Sequence, residues 1–138
     1  MDCIILRLGP CLFAVPVDDI SEIVKPQDVD LVEISADESS EMMRLRGQYI
    51  SIRRLDEFYG VTDVERKPLS QMACIVFQKT LAHIAVPVDE VVDRQQVVLK
   101  PLVGAVSDVR ASWGCALLGA GEVTVVLDGE LIATGEEK

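Results

Sequence analysis

The side chains in this sequence that could carry catalysis or hold a metal are one histidine, His83, four cysteines, Cys3, Cys11, Cys74 and Cys115, and 23 acidic residues. A catalytic or metal-bound histidine needs partners within reach. His83 lies in the apolar run Leu81-Ala-His-Ile-Ala, where no local Cys/His or Asp/His cluster supplies them. It reads as a strand-surface or satisfied core residue. No two cysteines form a C-x-x-C pair, and each sits among apolar residues. Cysteine in such surroundings behaves as a small buried hydrophobe. Gly119-Ala-Gly121 is the nearest approach to a phosphate loop, but no lysine and no long helix follow it, so it reads as a hairpin turn. A G-x-S-x-G nucleophile elbow is absent. The carboxylates cluster in loop-like and helix-start stretches, where solvation and capping account for them. The expectation is no catalytic residue, no metal site and no cofactor.

Binding chemistry is better represented. The net charge is -10, from 13 basic and 23 acidic residues. A chain this acidic repels phosphate backbones, which excludes nucleic acid as a natural partner. The charge is uneven. Residues 18–41 hold nine acids and one base, Lys25, whereas residues 44–67 hold six bases and four acids. A basic strip on an acidic protein is either a docking surface or a solvated strand face.

The strip opens on the clearest local signal in the chain. Met42-Met-Arg-Leu-Arg46 leads through Gly47-Gln48 into Tyr49-Ile-Ser-Ile-Arg-Arg54. A two-residue turn with glycine first suits a type II′ hairpin. Arg46 would then face Tyr49, Leu45 would face Ile50 and Met43 would face Ile52. Side chains alternate across a sheet. Met43, Leu45, Ile50 and Ile52 therefore share one face, and Arg44, Arg46, Tyr49, Ser51 and Arg53 share the other. Tyr49 on the arginine face is a candidate interface residue.

The elements around this hairpin are short and mostly extended, and no segment keeps a 3.6-residue period for long. Residues 3–8 and 12–17 suggest a hairpin about Gly9-Pro10. Residues 18–23 suggest one helical turn capped by Asp18 or Asp19. Residues 30–34 read as extended, 35–41 as an acidic loop, and 55–59 as a short helix stopped by Gly60. Residues 72–77 and 81–88 make a second hairpin, 91–99 an extended piece broken at Pro101, and 113–118 with 122–127 a third hairpin. A short helix over 128–133 follows. With 138 residues the chain is one domain. It has no apolar run near the roughly 20 residues a membrane span needs. Met1 leads straight into a strand-like run with no leader pattern, so a cytoplasmic location is expected.

The second half echoes the first. Ala14-Val-Pro-Val-Asp18 recurs as Ala85-Val-Pro-Val-Asp89, 71 residues on, and Leu55-Asp56 recurs as Leu127-Asp128, 72 residues on. Ordered matches at nearly one offset mark a duplicated unit. The reading is two packed β units, roughly residues 1–66 and 67–138. Each has a size at which a β unit is only marginally stable alone, and a groove is expected between them.

The stretches Phe13-Ala-Val-Pro-Val-Asp-Asp-Ile-Ser-Glu-Ile-Val24 and Leu45-Arg-Gly-Gln-Tyr-Ile-Ser-Ile-Arg-Arg-Leu55 resemble the CheW-like domain family. Val88-Asp-Glu-Val-Val-Asp-Arg-Gln-Gln-Val-Val-Leu-Lys-Pro-Leu102 and Leu118-Gly-Ala-Gly-Glu-Val-Thr-Val-Val-Leu-Asp128 are most similar to the regulatory domain at the C-terminus of chemotaxis histidine kinases. The resemblance implies an all-β fold of two SH3-like five-stranded β-barrels with short helices. It implies a non-catalytic adaptor that couples chemoreceptor cytoplasmic tips to a histidine kinase of the CheA type, with a CheW-type or CheA-type domain as a second partner. By resemblance, Arg46 and Gly47 of the Leu-Arg-Gly motif face a partner, as do Ile20 and Glu22 of Ile-Ser-Glu-Ile; Arg44 and Tyr49 join them from the hairpin face. A free-standing adaptor, or a peptide or small-ligand module on the same fold, is the alternative. The sequence departs from the family pattern at the acidic stretch 37–41, at 103–113, and at Gly129, where an apolar residue is expected.

Overall fold

A computed structural model describes residues 1–27, 31–33, 41–60, 67–77, 84–100, 112–119, 121–129 and 132. The expected hairpins form. Strands β1 (Asp2–Leu8) and β2 (Cys11–Pro16) pair antiparallel across a turn in which Gly9 takes φ 57°. Val17–Asp19 is a single 3-10 turn, and the chain continues directly into strand β3 (Ile20–Val24). The helical turn expected over 18–23 is thus shorter and ends earlier. Its N-cap is Pro16, with no side-chain cap, and residues 20–24 instead alternate half-buried and exposed as an edge strand does.

Strands β4 (Leu31–Glu33), β5 (Glu41–Leu45) and β6 (Gln48–Ile52) form a meander, followed by helix α1 (Leu55–Tyr59). Gly60 closes the helix at φ 69°, where its N–H donates back to the Asp56 and Glu57 carbonyls. Strands β7 (Ala73–Phe77) and β8 (Ile84–Val88) are buried along their whole length. Strands β9 (Glu90–Gln96), β10 (Leu99–Lys100), β11 (Ser112–Leu117) and β12 (Val123–Leu127) complete the set. His83, the acidic stretch 37–40 and the poorly matching stretch 103–111 lie outside the described residues.

The strands make two sheets of six, ordered β10-β11-β12-β2-β1-β9 and β3-β7-β8-β6-β5-β4. Each is five longer strands with a short one, β10 or β4, at an edge. This is the all-β, two-unit architecture the duplication implies. If β1–β2 are matched to β7–β8 and β3–β6 to β9–β12, the two orders are the same. The parallel junctions match too, with β2 beside β12 and β8 beside β6. The sheets do not follow the sequence halves, however. Each half contributes four strands to one sheet and lends its leading hairpin to the other.

That exchange explains the core. β7 and β8 sit inside the second sheet with both edges paired, and burial along their whole length shows that both faces are covered as well, with Cys74, Ile75, Val86 and Val88 fully buried. The larger cluster joins them to Met43, Ile50, Leu55, Phe77 and, from the other sheet, Leu6, Val15 and Leu127. A smaller cluster, which includes Cys3, Ile5, Ala14, Ala116, Leu118 and Val126, packs together on and beside the strands of the first sheet. Burial pushes the Cys74 thiol up to about 12 and the Cys3 thiol to about 11. Both are therefore inert hydrophobes at neutral pH.

Gly129 also finds its reason here. A Cβ built at that position would lie 2.7 Å from Phe77 Cδ1 and 3.0 Å from Cε1. Phe77 is buried to 1 % exposure, and its ring occupies the space that a larger side chain at position 129 would need. Gly129→Leu should therefore destabilise the fold by about 1–3 kcal/mol through overpacking. Urea denaturation checks this: Phe77→Leu in the same chain should relieve part of the loss, and equal stability of Gly129→Leu and the parent would contradict the packing argument.

Candidate functional site

The strip 44–67 divides by burial into two kinds of arginine. Arg54 continues the inward alternation of Ile50 and Ile52, and its side chain is only 5 % exposed. Its Nε donates to Glu41 Oε1 at 2.7 Å and its Nη2 to Oε2 at 3.1 Å. Its Nη1 reaches the Lys67 carbonyl at 3.2 Å and Met72 Sδ at 3.8 Å. Arg53 lies over the Phe58 ring at 5.6 Å. Lys67 pairs with the buried carboxylate of Asp89 at 3.3 Å. These groups hold the fold together. Glu41, expected in an acidic loop, begins β5 and faces Arg54. The signal was in the sequence, since the pleat that buries Ile50 and Ile52 also turns Arg54 inward.

Arg44, Arg46 and Tyr49 remain at the surface, Tyr49 at 57 % exposure. The hairpin register places them differently from the expected one. Leu45 pairs with Gln48, Arg44 with Tyr49 and Met43 with Ile50. The turn is therefore Arg46-Gly47, not Gly47-Gln48. Arg46 takes φ 50° and Gly47 φ 79°. Two successive positive φ values are what a type I′ turn requires, and that turn matches the twist of the strands. Arg46 is the one non-glycine residue with positive φ among the described residues. L side chains resist this region, and the pairing of β5 with β6 on either side of the turn holds the residue there.

The side chain of Arg46 meets Glu22 on β3. The Arg46 guanidinium grips that carboxylate with both terminal nitrogens, Nη1 to Oε2 and Nη2 to Oε1. The bridge ties the hairpin tip to the far edge of the same sheet, since β3 and β4 are its two edges. The Arg46 hydrogen bonds hold the Glu22 carboxyl below the ordinary carboxylate range. The bridge therefore persists at neutral pH and is lost only as acid protonates Glu22. The Arg46 side chain is still 70 % exposed and Glu22 24 %. Their solvent-facing sides border an open groove of about 220 Å³ lined by Ser21, Leu45, Gln48, Ile50 and Val76.

Of the residues expected to face a partner, the structure thus brings Glu22, Arg46 and Gly47 together at one tip. Arg44 and Tyr49 lie opposite each other on the outer face of the same hairpin. Ile20 is placed elsewhere: it is half-buried and packs against the larger core. Among the described residues no group of three or more His, Cys, Asp or Glu side chains could hold a metal ion, and no helix is long and apolar enough to cross a membrane.

A family model, the CheW-like domain, matches residues 2–137. The chemotaxis protein CheA of Bacillus subtilis is 31% identical over 125 residues, covering 91% of this chain and 18% of that protein. CheA of Klebsiella aerogenes is 27% identical over 130 residues, 93% of this chain and 19% of that protein. The chain therefore spans less than a fifth of the length of these relatives. The crystal structure of scaffolding protein TtCheW from Thermoanaerobacter tengcongensis superimposes with a TM-score of 0.75 at 20% identity, covering 99% of this chain and 96% of that one.

Proposed function

Because the match over residues 2–137 makes this chain a member of the CheW-like domain family, we propose that it is a non-catalytic, cytoplasmic adaptor module that couples chemoreceptor cytoplasmic tips to a histidine kinase by protein contacts. The identity with CheA proteins, confined to under a fifth of their length, supports reading it as the regulatory domain of such a kinase. The coverage of 99% of this chain and 96% of the chain of a scaffolding protein supports the second reading, an adaptor on its own. A CheW-type or CheA-type domain is the other proposed partner.

The observation that carries the reading is the hairpin tip. Arg46 takes an unfavourable backbone conformation at the turn, and its guanidinium, paired with Glu22, still faces solvent over most of its surface. Strain held at an exposed charged residue points to recognition. Arg44 and Tyr49 extend the surface on the outer face of the hairpin, and Gly47 beside Arg46 lets a partner backbone approach closely.

A charged rim of this kind acts by long-range attraction. The screening length falls from about 30 Å at 0.01 M salt to about 3 Å at 1 M. Capture of the domain on an immobilised receptor tip with a CheW-type partner should therefore weaken steadily across that range. Absence of capture at low salt would count against the function, and capture indifferent to salt would count against the charged tip as its site.

A further inference from the structure

We propose that the N-terminal hairpin is an exchangeable arm, and that a second copy of this chain can supply it to form an arm-exchanged dimer. The case begins with topology. β1 and β2 lie in the interior of the first sheet, between β12 and β9, and both of those neighbours come from the second half of the chain. The covalent connection runs the other way, because β2 leads into β3 at the edge of the opposite sheet. Among the described residues, the 3-10 turn Val17–Asp19 is the covalent link between β2 and β3.

The arm's polar contacts follow the topology. Met1 and Val97 exchange two main-chain hydrogen bonds, the terminal amine donating at 3.0 Å and the Val97 N–H at 2.7 Å. The Gly9 N–H donates to Asp89 Oδ2 at 2.7 Å, and the Asp89 N–H donates to the Arg7 carbonyl at 2.9 Å. Asp2 pairs with Arg94, and Arg7 with Glu90. Each of these joins residues 1–9 to residues 89–97. A second copy presents the same acceptor surface, so an exchanged pair rebuilds every one of these contacts twice. Only the turn Val17–Asp19 has to open.

The balance between the two forms is then set by the tether. A short tether holds the arm at high effective concentration over its own sheet and keeps the dilute chain closed. Shortening the tether strains the closed form and leaves the exchanged form untouched. Opening also removes two interior strands of a sheet, among them the fully buried Cys3, Leu6, Ala14 and Val15. Exchange in the native state is therefore slow, and the two forms are trapped once folded. An exchanged dimer would carry two Arg46-Gly47 tips, which makes it bivalent toward any partner of that site.

The test uses two full-length chains with tags of different mass, mixed, unfolded in guanidinium, refolded at high concentration and read by native mass spectrometry. The expected result is dimers of which about half carry one of each tag, as random arm exchange requires. These should survive dilution, and they should be absent when the chains are mixed without unfolding. Deleting Asp18 should raise the dimer fraction, and inserting four Gly/Ser residues between Pro16 and Ile20 should lower it. Refolded wild-type chain that is wholly monomeric overturns the proposal, even if the deletion variant does not fold. So do dimers that trade tags without unfolding or ignore tether length, since those are ordinary surface associations.

Discussion

Glu41→Ala is expected to destabilise this fold by about 3–5 kcal/mol, the usual consequence of leaving one partner of a buried ion pair unmatched. Arg54 is 5 % exposed and, among the described residues, would keep the Lys67 carbonyl and the Met72 sulfur as partners. Glu41 itself is 16 % exposed, so some water reaches the pair and the lower end of that range is the expectation. The double variant Glu41→Leu with Arg54→Met should recover much of the loss, because an apolar pair of similar volume has no charge to strand. Urea denaturation with unchanged m-value reads both. A single variant within 1 kcal/mol of the parent would mean that solvent already screens this pair.

The second large effect is on binding. Arg46→Glu should weaken capture by receptor tip and partner about tenfold or more, as loss of a central arginine commonly does. It should leave the melting curve close to that of the parent, since the bridge to Glu22 is exposed and such pairs add little to stability. The charge-swapped pair Glu22→Arg with Arg46→Glu separates two roles. If the partner reads the guanidinium at the tip, the swap binds as poorly as the single variant. Recovery in the swap would show that the bridge matters only because it shapes the turn.

The hairpin that carries this site shows why its faces could be read from sequence and its tip could not. The observed register differs from the expected one by two residues, a full period of the pleat. Met43, Leu45, Ile50 and Ile52 face inward in either register, so hydrophobic alternation cannot choose between them. The choice rests on the turn. Arg46 adopts positive φ there, and its side-chain partner, Glu22, is 24 residues away in sequence and invisible to local turn rules.

The same limit acts elsewhere. Asp18 and Asp19 look like helix caps, but the helical segment after Pro16 is a single turn and residues 20–24 pair with β7 as an edge strand. The duplication was legible from two short motifs because each repeat builds the same strand order. The crossing of the hairpins was not, because a repeat fixes which strands are equivalent and is silent on which sheet each joins. Gly129 looked anomalous only because the Phe77 ring that fills its space comes from strand β7.

Sedimentation of three components together, this domain, a chemoreceptor cytoplasmic tip and a CheW-type partner, tests the proposed adaptor role most directly. All three should pellet as one assembly at low salt, and the domain carrying Arg46→Glu should stay in the supernatant while still folded. A wild-type domain that remains soluble and separate, with its partners assembling equally well in its absence, would contradict the account.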